Sequence, residues 1–304
     1  MSNQSKTGAT AFLGPRGTFS EEAALVYTGA EGELIAFDTI PALTAAVETG
    51  LAARALLPIE NSIEGSVSAT LDLLIHETPL KIVAEVVLPV RHFLVTAPGT
   101  ALADIAVVTS HPQAFGQCRR FLDRCLPHAE QVAALSTAAA VRDVAQGNDH
   151  QRAAIGTARA ASLYGGHLLA YDIQDNRANL TRFVALAQDD ARPTGTDKTS
   201  LSFTLRRNVP GALHAILTIF ADAGFQLTKI ESRPTKVDLG TYVFLIDLEG
   251  HRLDRAVVPV LARVEALCAI FKIFGSYPRF AAPALPETGS PAGLIDAAIT
   301  PDRQ

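Results

Sequence analysis

The chain has 304 residues, 48% of them hydrophobic, which suits a buried core divided between about two domains. Its formal net charge of -5 gives no global field that attracts nucleic acid or an anionic membrane, so local groups must hold any anionic ligand. The sequence shows neither a signal peptide nor the roughly 18 apolar residues that span a bilayer. We therefore expect a cytoplasmic protein with no membrane or nucleic-acid partner.

From residue 9 to about residue 188, short apolar runs alternate with segments of helical periodicity, a pattern typical of βαβ units and a mostly parallel sheet. Strands are predicted at 10–13, 34–37, 55–59, 82–90, 105–109, 153–155 and 183–187. Helices are predicted at 20–27, 41–48, 67–76, 113–126, 137–145 and 158–164.

A second unit follows residues 189–199, which are polar and rich in Gly and Pro and so predict a linker. Pro210 opens one amphipathic helix, and Pro259 either kinks a second helix or marks its first turn. With strands at 201–205, 225–232, 242–248 and 270–274, the order is βαββαβ, a ferredoxin-like unit over residues 200–280. Residues 281–304 lack periodicity and are expected to form a flexible tail.

The cysteines do not suggest a disulfide framework or a zinc site. Cys118, Cys125 and Cys268 are odd in number and show no C-x-x-C spacing. They are interpreted as small buried apolar residues, and no metal site is expected.

The segment GPRGTFSEE at residues 14–22 directly follows a predicted strand and opens a helix. Thr18 and Glu21 form a T-x-x-E capping box, which would point the first-turn amides into a cleft where a carboxylate could bind. On this segment alone an ordinary capped structural helix is the favoured explanation, since capping boxes are common in such helices.

A similar pattern recurs after another strand, where Ser110 and Gln113 form an S-x-x-Q box around His111. Ser136 opens a further helix. Several helix N-termini at strand ends favour a crevice that neutralises negative charge with few basic side chains. His111 is either an acid or base or only a hydrogen-bonding residue at a helix start.

Two further segments place polar side chains beside strands. In LPIENSIEGS, Asn61 and Ser62 follow a hydrophobic strand and can donate to a carboxylate or hydroxyl, whereas Glu60 and Glu64 are either functional or solvated. IQDNRANLTRF, at residues 173–183, collects amides, a hydroxyl and two arginines just before a strand.

Taken together and in this order, GPRGTFSEEAA, LPIENSIEGSV, SHPQAFGQC and IQDNRANLTRF resemble the signatures of the prephenate dehydratase family. DKTSLSF, NVPGALHAIL and ESRPTKVDLGTYVFLIDLEGH resemble the ACT domain of that family. The resemblance covers about residues 10 to 280, and four ordered motifs are more specific than any single one.

The resemblance implies an α/β catalytic domain at residues 9–188 with the two lobes of a type 2 periplasmic binding protein, one at about 9–90 plus 175–188 and the other at 91–174. The active site would lie in the cleft between them. It also implies conversion of prephenate to phenylpyruvate, CO2 and water, without a cofactor.

By the same resemblance, the threonine of the T-R-F motif, Thr181, is the catalytic residue and hydrogen-bonds the leaving hydroxyl. Arg16 departs from the acidic residue that many relatives carry at its position, which puts fine substrate preference in doubt. Substrate contacts are expected from Thr18, Phe19, Ser20, Asn61, Ser62, Ser110, Gln113, Asn179, Arg182 and Phe183.

In the ACT domain the resemblance implies an allosteric site for phenylalanine between neighbouring subunits, and therefore a homodimer or homotetramer. Helix amides after residue 211 would hold the carboxylate of the effector. The expected site residues are Asn208, Pro210, Gly211, Ala212, Leu213, Glu231, Ser232, Arg233 and Pro234.

Two other interpretations stay open at this level. An arogenate dehydratase would run the same elimination on a substrate with an amino acid side chain. A non-catalytic amino-acid sensor would use the same lobed fold, since fold alone does not fix function.

Overall fold

The computed structural model describes residues 8–29, 31–236 and 240–280. Its strands are β1 (Thr10–Leu13), β2 (Leu34–Phe37), β3 (Arg54–Asn61), β4 (Gly65–Ser66), β5 (Lys81–Pro89), β6 (Phe93–Thr96), β7 (Val107–Ser110), β8 (Glu130–Ala133), β9 (Arg152–Gly156), β10 (His167–Ala170), β11 (Leu180–Ala187), β12 (Asp197–Leu205), β13 (Leu227–Pro234), β14 (Tyr242–Glu249) and β15 (Cys268–Pro278). Its α-helices are α1 (Phe19–Thr28), α2 (Ile40–Glu48), α3 (Ser68–Asp72), α4 (Pro112–Gln117), α5 (Arg119–Cys125), α6 (Thr137–Gly147), α7 (Ala158–Tyr164), α8 (Ala212–Asp222) and α9 (Val257–Leu267). The predicted tail at 281–304 lies outside the described residues.

The first lobe is built on a mixed sheet with strand order β2-β1-β3-β11-β5, to which β4 adds on β3. Strand β1 runs parallel to β2 and β3, but β11 lies antiparallel between β3 and β5. Strand β11 comes late in the chain, so the sequence of the first lobe is interrupted by that of the second lobe.

The second lobe has the strand order β10-β6-β9-β7-β8, with β7 parallel to β8 and β9 and with β6 antiparallel to both its neighbours. The chain crosses between the lobes twice, once between β5 and β6 and once between β10 and β11. The predicted two-lobed α/β fold is confirmed, but the prediction of mostly parallel sheets is wrong. Each lobe contains a strand on the crossing chain that runs against its neighbours.

Several boundaries differ from the predicted ones for local reasons. The predicted helix at 113–126 divides into α4 and α5, because buried Cys118 leaves helical geometry at φ -118°. The predicted helix at 67–76 is α3 followed by a π-helical turn at Leu73–Glu77. Strands β6, β8 and β10, each four residues long, were not predicted.

The C-terminal unit has the predicted βαββαβ order and a sheet ordered β13-β14-β12-β15. Helices α8 and α9 pack on one face of this sheet around buried Phe203, Phe220 and Leu261. Pro259 is the third residue of α9, so it lies in the first turn and does not kink the helix. Helix α8 begins at Ala212, two residues after Pro210, with Gly211 as its N-cap.

The other face of this sheet packs against the first lobe. Leu245, Phe274 and Tyr277 belong to the same buried cluster as Leu71 and Ile82. The C-terminal sheet therefore closes part of the core of the first lobe.

Gly275 shows how close the two layers are. A Cβ at this position would lie 2.2 Å from the carbonyl oxygen of Ile82, so only glycine allows this backbone approach.

Within the described residues, no helix is long and apolar enough to cross a membrane.

Candidate active site

The candidate site is centred on a pair of side chains at the ends of two adjacent strands. Asn61 ends β3 and lies directly across from Thr181 near the start of β11. The Asn61 Nδ2 amide donates to Thr181 Oγ1 at 2.9 Å. Asn61 Oδ1 accepts from the backbone amides of Ile63 and Glu64 at 3.0 and 2.9 Å. Because backbone N–H groups can only donate, these two bonds fix which end of the Asn61 amide faces Thr181.

A chain of carboxamides continues from Asn61 into the second lobe. Asn61 Nδ2 donates to Asn179 Oδ1 at 2.7 Å, and Asn179 Nδ2 donates to Gln117 Oε1 at 3.2 Å. Asn179 is 1% exposed, whereas Gln117 at the end of α4 is half-buried and its Nε2 lies 3.4 Å from Glu64 Oε1. These contacts connect the two lobes through side chains in the cleft.

Ser62 holds the segment before β11 in place. Its hydroxyl accepts from the Leu180 amide at 2.9 Å and donates to the Ala178 carbonyl at 3.3 Å. Asn61, Ser62, Asn179 and Thr181 were all predicted site residues, and the structure brings them together.

The start of α1 contacts the second lobe. Thr18 caps α1 by accepting from the Glu21 amide at 3.3 Å, as predicted, but Glu21 Oε2 accepts from the Gly17 amide at 2.6 Å and does not complete the box at Thr18. The Arg159 guanidinium pairs with both oxygens of Glu21, and Thr157 Oγ1 donates to the Gly17 carbonyl at 2.7 Å. The lobes therefore meet at this end of the cleft.

Electrostatics keep the Glu21 carboxylate charged there. Its burial alone would raise its pKa, but hydrogen bonds from Arg159, Gly17 and Arg16 hold the pKa below its ordinary value. Arg16, the predicted departure from the family pattern, is thus one of the partners of Glu21, at 3.1 Å.

The two predicted aromatic residues, Phe19 and Phe183, have different surroundings. The Phe19 ring meets His92 edge-on at 5.6 Å between ring centroids. Phe183 is 1% exposed and packs with Phe12 in the core of the first lobe, so its ring is not available to a ligand. Ser20 is also buried.

Two predicted residues of the second lobe stand apart from the cluster. Ser110 is fully buried and its hydroxyl donates to the Ile155 carbonyl at 2.7 Å, because Ser110 ends β7 beside β9. The predicted Ser110 cap is wrong: His111 is the N-cap of α4 and its Nδ1 accepts from the Gln113 amide. The Gln113 side chain is exposed.

Arg182 follows Thr181 in an extended strand, and its side chain therefore points to the opposite face of the sheet. Its Nη1 lies 2.7 Å from Asp247 Oδ2 on β14 and 3.6 Å from Glu85 Oε2. Its Nε lies 3.6 Å from Glu60 Oε2, which is also 3.4 Å from Lys229. Arg182 and Glu60 thus contact the C-terminal sheet and do not face the cleft.

The predicted effector segments lie at one end of the C-terminal sheet. Val243 of β14 pairs with Thr204 of β12 on one side and with Arg233 of β13 on the other. Asn208 Nδ2 donates to the Gly240 carbonyl at 3.0 Å and so joins the loop after β12 to the turn before β14. Gly211 has φ 84° and caps α8, with Pro210 before it and Ala212 and Leu213 in the first turn.

The side chains of the second effector segment are divided between two faces. Glu231 accepts from Ser66 Oγ at 2.6 Å, and Arg233 lies 3.3 Å from Asp72, so both contact the first lobe. Ser232 and Pro234 are exposed on the other face of β13.

The cluster presents hydrogen-bond donors to the cleft. The Thr181 oxygen accepts from Asn61, which leaves its own O–H proton to donate, and Gln117 directs its amide nitrogen away from Asn179. Residues 8–29, 31–236 and 240–280 contain no group of three or more His, Cys, Asp and Glu side chains that could hold a metal ion. The arrangement suits a substrate rich in carboxylate and hydroxyl oxygens.

Fold and cluster together define a two-lobed α/β protein with a candidate site where side chains of the two lobes meet, followed by a βαββαβ domain. A family model described as prephenate dehydratase matches residues 10–191, and one described as ACT domain matches residues 199–266. The chain belongs to the prephenate dehydratase family, and its activity is that of a lyase.

Two relatives show the extent of the match. The prephenate dehydratase of Mycolicibacterium vanbaalenii is 43% identical over 285 residues, covering 88% of this chain and 90% of that protein. The bifunctional chorismate mutase/prephenate dehydratase of Neisseria gonorrhoeae is 41% identical over 268 residues, covering 88% of this chain and 74% of that protein.

Solved structures agree on the fold. The prephenate dehydratase of Arthrobacter aurescens in complex with L-Phe has a TM-score of 0.82 and 38% identity and covers 95% of both chains. A structure described as GqqA, a novel type of quorum quenching acylase, has a TM-score of 0.80 and 31% identity and covers 90% of this chain and 98% of its own. A second chemistry is therefore attributed to a protein of the same fold.

Proposed function

We propose that this chain converts prephenate to phenylpyruvate at the Asn61–Thr181 pair. In this reaction the bond from the ring to its carboxylate breaks, and its electron pair moves through the diene as the ring becomes aromatic. The hydroxyl on the opposite ring carbon leaves and takes up one proton from solvent, so prephenate and a proton give phenylpyruvate, CO2 and water. The observation that carries this proposal is the Thr181 hydroxyl, whose oxygen accepts from Asn61 at 2.9 Å and whose proton is left to donate.

Thr181 would donate this hydrogen bond to the leaving oxygen, and the bond would strengthen as negative charge develops there. Asn61 sets the direction of the bond, since its own amide is fixed by two backbone donors. Gln117, which the sequence did not single out, turns its amide nitrogen away from Asn179 and would donate to an oxygen of the substrate on that side. Ser62, Thr18 and Phe19 would shape the remaining walls.

Side-by-side turnover of prephenate and arogenate tests this assignment. The expected result is phenylpyruvate from prephenate with the higher kcat/KM. Preferential formation of phenylalanine from arogenate would reassign the substrate. A protein that binds either compound without turnover would be a sensor.

The acylase attribution of the structural neighbour suggests a second candidate function. Amide hydrolysis by an enzyme nucleophile needs a base on that nucleophile. Thr181 is bonded to an amide, and the nearby His92 Nε2 is bonded to Gln117 at 2.9 Å. This arrangement favours the dehydratase reaction, and an acylase assay with the same preparation would show whether both activities occur.

We also propose feedback regulation by phenylalanine at the C-terminal domain. The relative from Arthrobacter aurescens was solved with L-Phe. Here the loop before α8 is bonded through Asn208 to Gly240, at the end of the sheet where β13 ends, and the positive end of a helix favours a carboxylate. Ser232 and Pro234 are the members of their segment that stay exposed, so they would contact the effector.

A matched pair of variants tests this site in the full chain. Ser232→Leu should raise the phenylalanine concentration for half-inhibition about tenfold or more, a shift within the usual range of allosteric coupling. Thr228→Leu, on the same exposed face of β13, should leave inhibition unchanged. Unchanged inhibition in Ser232→Leu would remove this segment from the effector site.

Self-association through the same domain completes the proposal. Strand β13 is the edge of its sheet, and Ile230 on it is 52% exposed. We expect a homodimer or homotetramer in the cytoplasm. Each subunit would consist of a catalytic domain at 9–188 and an ACT domain at 200–280. Sedimentation of wild type and Ile230→Lys would test it, with a shift to monomer expected in the variant.

A further inference from the structure

His92 is a buried histidine at the base of the cleft, on the segment that connects β5 to β6. It is 2% exposed, and its Nε2 lies 2.9 Å from Gln117 Oε1. Its Nδ1 is buried and has no hydrogen-bond partner among the residues that the structure describes. The backbone amide of His92 donates to Gln174 Oε1 at 2.9 Å, which fixes the ring's point of attachment.

The hydrogen-bond chain of the site determines which form of His92 is present. Backbone amides fix Asn61 Oδ1 as an acceptor, so Asn61 Nδ2 must donate to Asn179 Oδ1. Asn179 Nδ2 then donates to Gln117 Oε1. An oxygen can only accept, so His92 Nε2 must carry the proton that it shares with Gln117.

The second ring nitrogen is consistent with a neutral ring. A protonated imidazole would place an N–H on Nδ1, and that donor would be buried without an acceptor. Burial also lowers the pKa of His92 below its usual value. His92 is therefore a neutral imidazole protonated on Nε2.

We propose that His92 is a positioning residue, which holds the Gln117 amide so that its N–H groups face the substrate. With Oε1 accepting from both His92 and Asn179, the Gln117 side chain cannot rotate its amide by 180° without losing two hydrogen bonds. The amide nitrogen is thereby fixed on the side of Glu64, to whose Oε1 one of its N–H groups donates at 3.4 Å, and the second N–H is left for the substrate. This inference rests on the proposed role of Gln117 in binding prephenate.

His92 itself is not placed to exchange protons with the substrate. Its Nδ1 is sealed from the cleft, and its Nε2 is engaged with Gln117. The Phe19 ring covers one edge of the imidazole. His92 would therefore affect the substrate only through Gln117.

Three variants test the proposal on the full chain. The nitrogen of a glutamine side chain reaches about as far as imidazole Nε2, so His92→Gln should keep the bond and retain kcat/KM within about threefold. His92→Leu keeps volume but removes the donor, and kcat/KM should fall roughly tenfold to a hundredfold, the cost of a misplaced contact. His92→Asn, too short to reach Gln117, should behave like His92→Leu and replaces it if that variant does not fold.

A double-mutant cycle separates positioning from general stability. In a Gln117→Leu background, His92→Leu should lower kcat/KM by less than about twofold further, because the two act as one unit. The proposal would be overturned if His92→Leu lowered kcat/KM as much in the Gln117→Leu background as in the wild type. It would also be overturned if His92→Gln and His92→Leu lowered kcat/KM equally.

A spectroscopic measurement keeps the inference separate from the proposed reaction. The 15N shifts of His92 near pH 7 should show a neutral ring protonated on Nε2, whether or not prephenate is turned over. An Nδ1-protonated or charged ring would contradict the inference. A wild-type protein that shows this tautomer but no turnover would instead contradict the proposed function.

Discussion

In the proposed reaction Thr181 contributes a single hydroxyl, and the effect of that hydroxyl would depend on where its proton points. Thr181→Ala should reduce kcat about a hundredfold or more with a smaller change in KM, because the bond to the leaving oxygen is made mainly in the transition state. Thr181→Ser keeps the hydroxyl and should retain most of the activity. Steady-state kinetics on prephenate would measure both, and near-normal turnover by Thr181→Ala would exclude the residue from the mechanism.

At this scale the polar run at the end of an apolar strand indicated Asn61 and Ser62. Thr181 was assigned by the resemblance of its T-R-F motif, and the structure places its hydroxyl beside Asn61. Gln117 is a polar residue within a helix, and only its position next to buried Cys118 could have indicated it. His92 lies at a lobe crossing, and no local pattern predicts that its ring meets Gln117.

Glu22 on α1 gives the protein an unusual pH dependence of stability. Its burial raises its pKa to about 7, although the Thr157 hydroxyl and Arg159 oppose the shift. The folded chain thus binds this proton more tightly than the unfolded chain, and Glu22 costs stability as pH rises from about 4.5 to about 7. Glu22→Gln should raise the free energy of unfolding by about 2 kcal/mol near pH 8 and by little near pH 4.

Glu21 provides the control of opposite sign for this measurement. Its pKa is lowered in the folded state, so its charge stabilises the protein above the unfolded pKa, and this contribution is lost as pH falls. Glu21→Gln should therefore destabilise the protein near pH 8 and less so near pH 4. Denaturant unfolding at the two pH values measures both variants. If Glu22→Gln changed the free energy of unfolding equally at both pH values, the ionisation of Glu22 would have no effect on stability.

Among the elements, β11 contributes side chains both to the candidate site and to the contact with the C-terminal sheet, because alternate residues of a strand face opposite sides. Thr181 faces the cleft and Arg182 faces the C-terminal sheet. The period of two in a strand would have predicted this division, but the resemblance of the whole T-R-F motif assigned both residues to the substrate. Strand β13 makes a similar division between Ser232 and its neighbours Glu231 and Arg233.

The ion pair between β11 and β14 should be important for stability. The side chains of Arg182 and Asp247 are 13% and 5% exposed, and removing one partner leaves the other charge buried. Asp247→Ala should lower the free energy of unfolding by roughly 3 to 5 kcal/mol, while Asp247→Ala with Arg182→Met should cost less than the sum of the two single variants.

Denaturant unfolding of the three variants measures the coupling between these residues. Arg279→Met is the control, because Arg279 and Glu249 form an ion pair in the same domain at 42% and 39% exposure and should contribute at most about 1 kcal/mol. Strictly additive costs for Arg182 and Asp247 would mean that the pair does not couple the two elements.

In the whole molecule, the order of strands and helices could be predicted from the sequence, but the contact between the first lobe and the C-terminal sheet could not. The alternation of strands and helices and the ordered motifs were enough to predict two lobes and a C-terminal βαββαβ unit. Where that unit docks depends on side chains far apart in sequence, such as Tyr277 against Ile82, and neither periodicity nor turn residues carry that information. The polar contacts of Lys198 with Glu85 and of Lys229 with Ser66 belong to the same docked surface.

Docking of this kind changes what deletion of the C-terminal domain should do. Removal of residues 200–304 takes away Leu245, Phe274 and Tyr277, and each buried side chain of this size contributes about 1.5 to 3 kcal/mol. Deletion would also leave Arg182 without Asp247, and it would leave Glu85 without Lys198 if the remaining strand frays. We expect the truncated chain to melt at a lower temperature than the full chain and to expose apolar surface that binds a hydrophobic dye.

The soluble fraction should still turn over prephenate, since Asn61, Thr181 and Gln117 all remain, and phenylalanine should no longer inhibit it. Thermal unfolding, dye binding and inhibition assays on the same preparation check these three results. A truncated chain as stable as the full one would show that the docked sheet adds nothing to the core, and undiminished inhibition would place phenylalanine in the catalytic cleft.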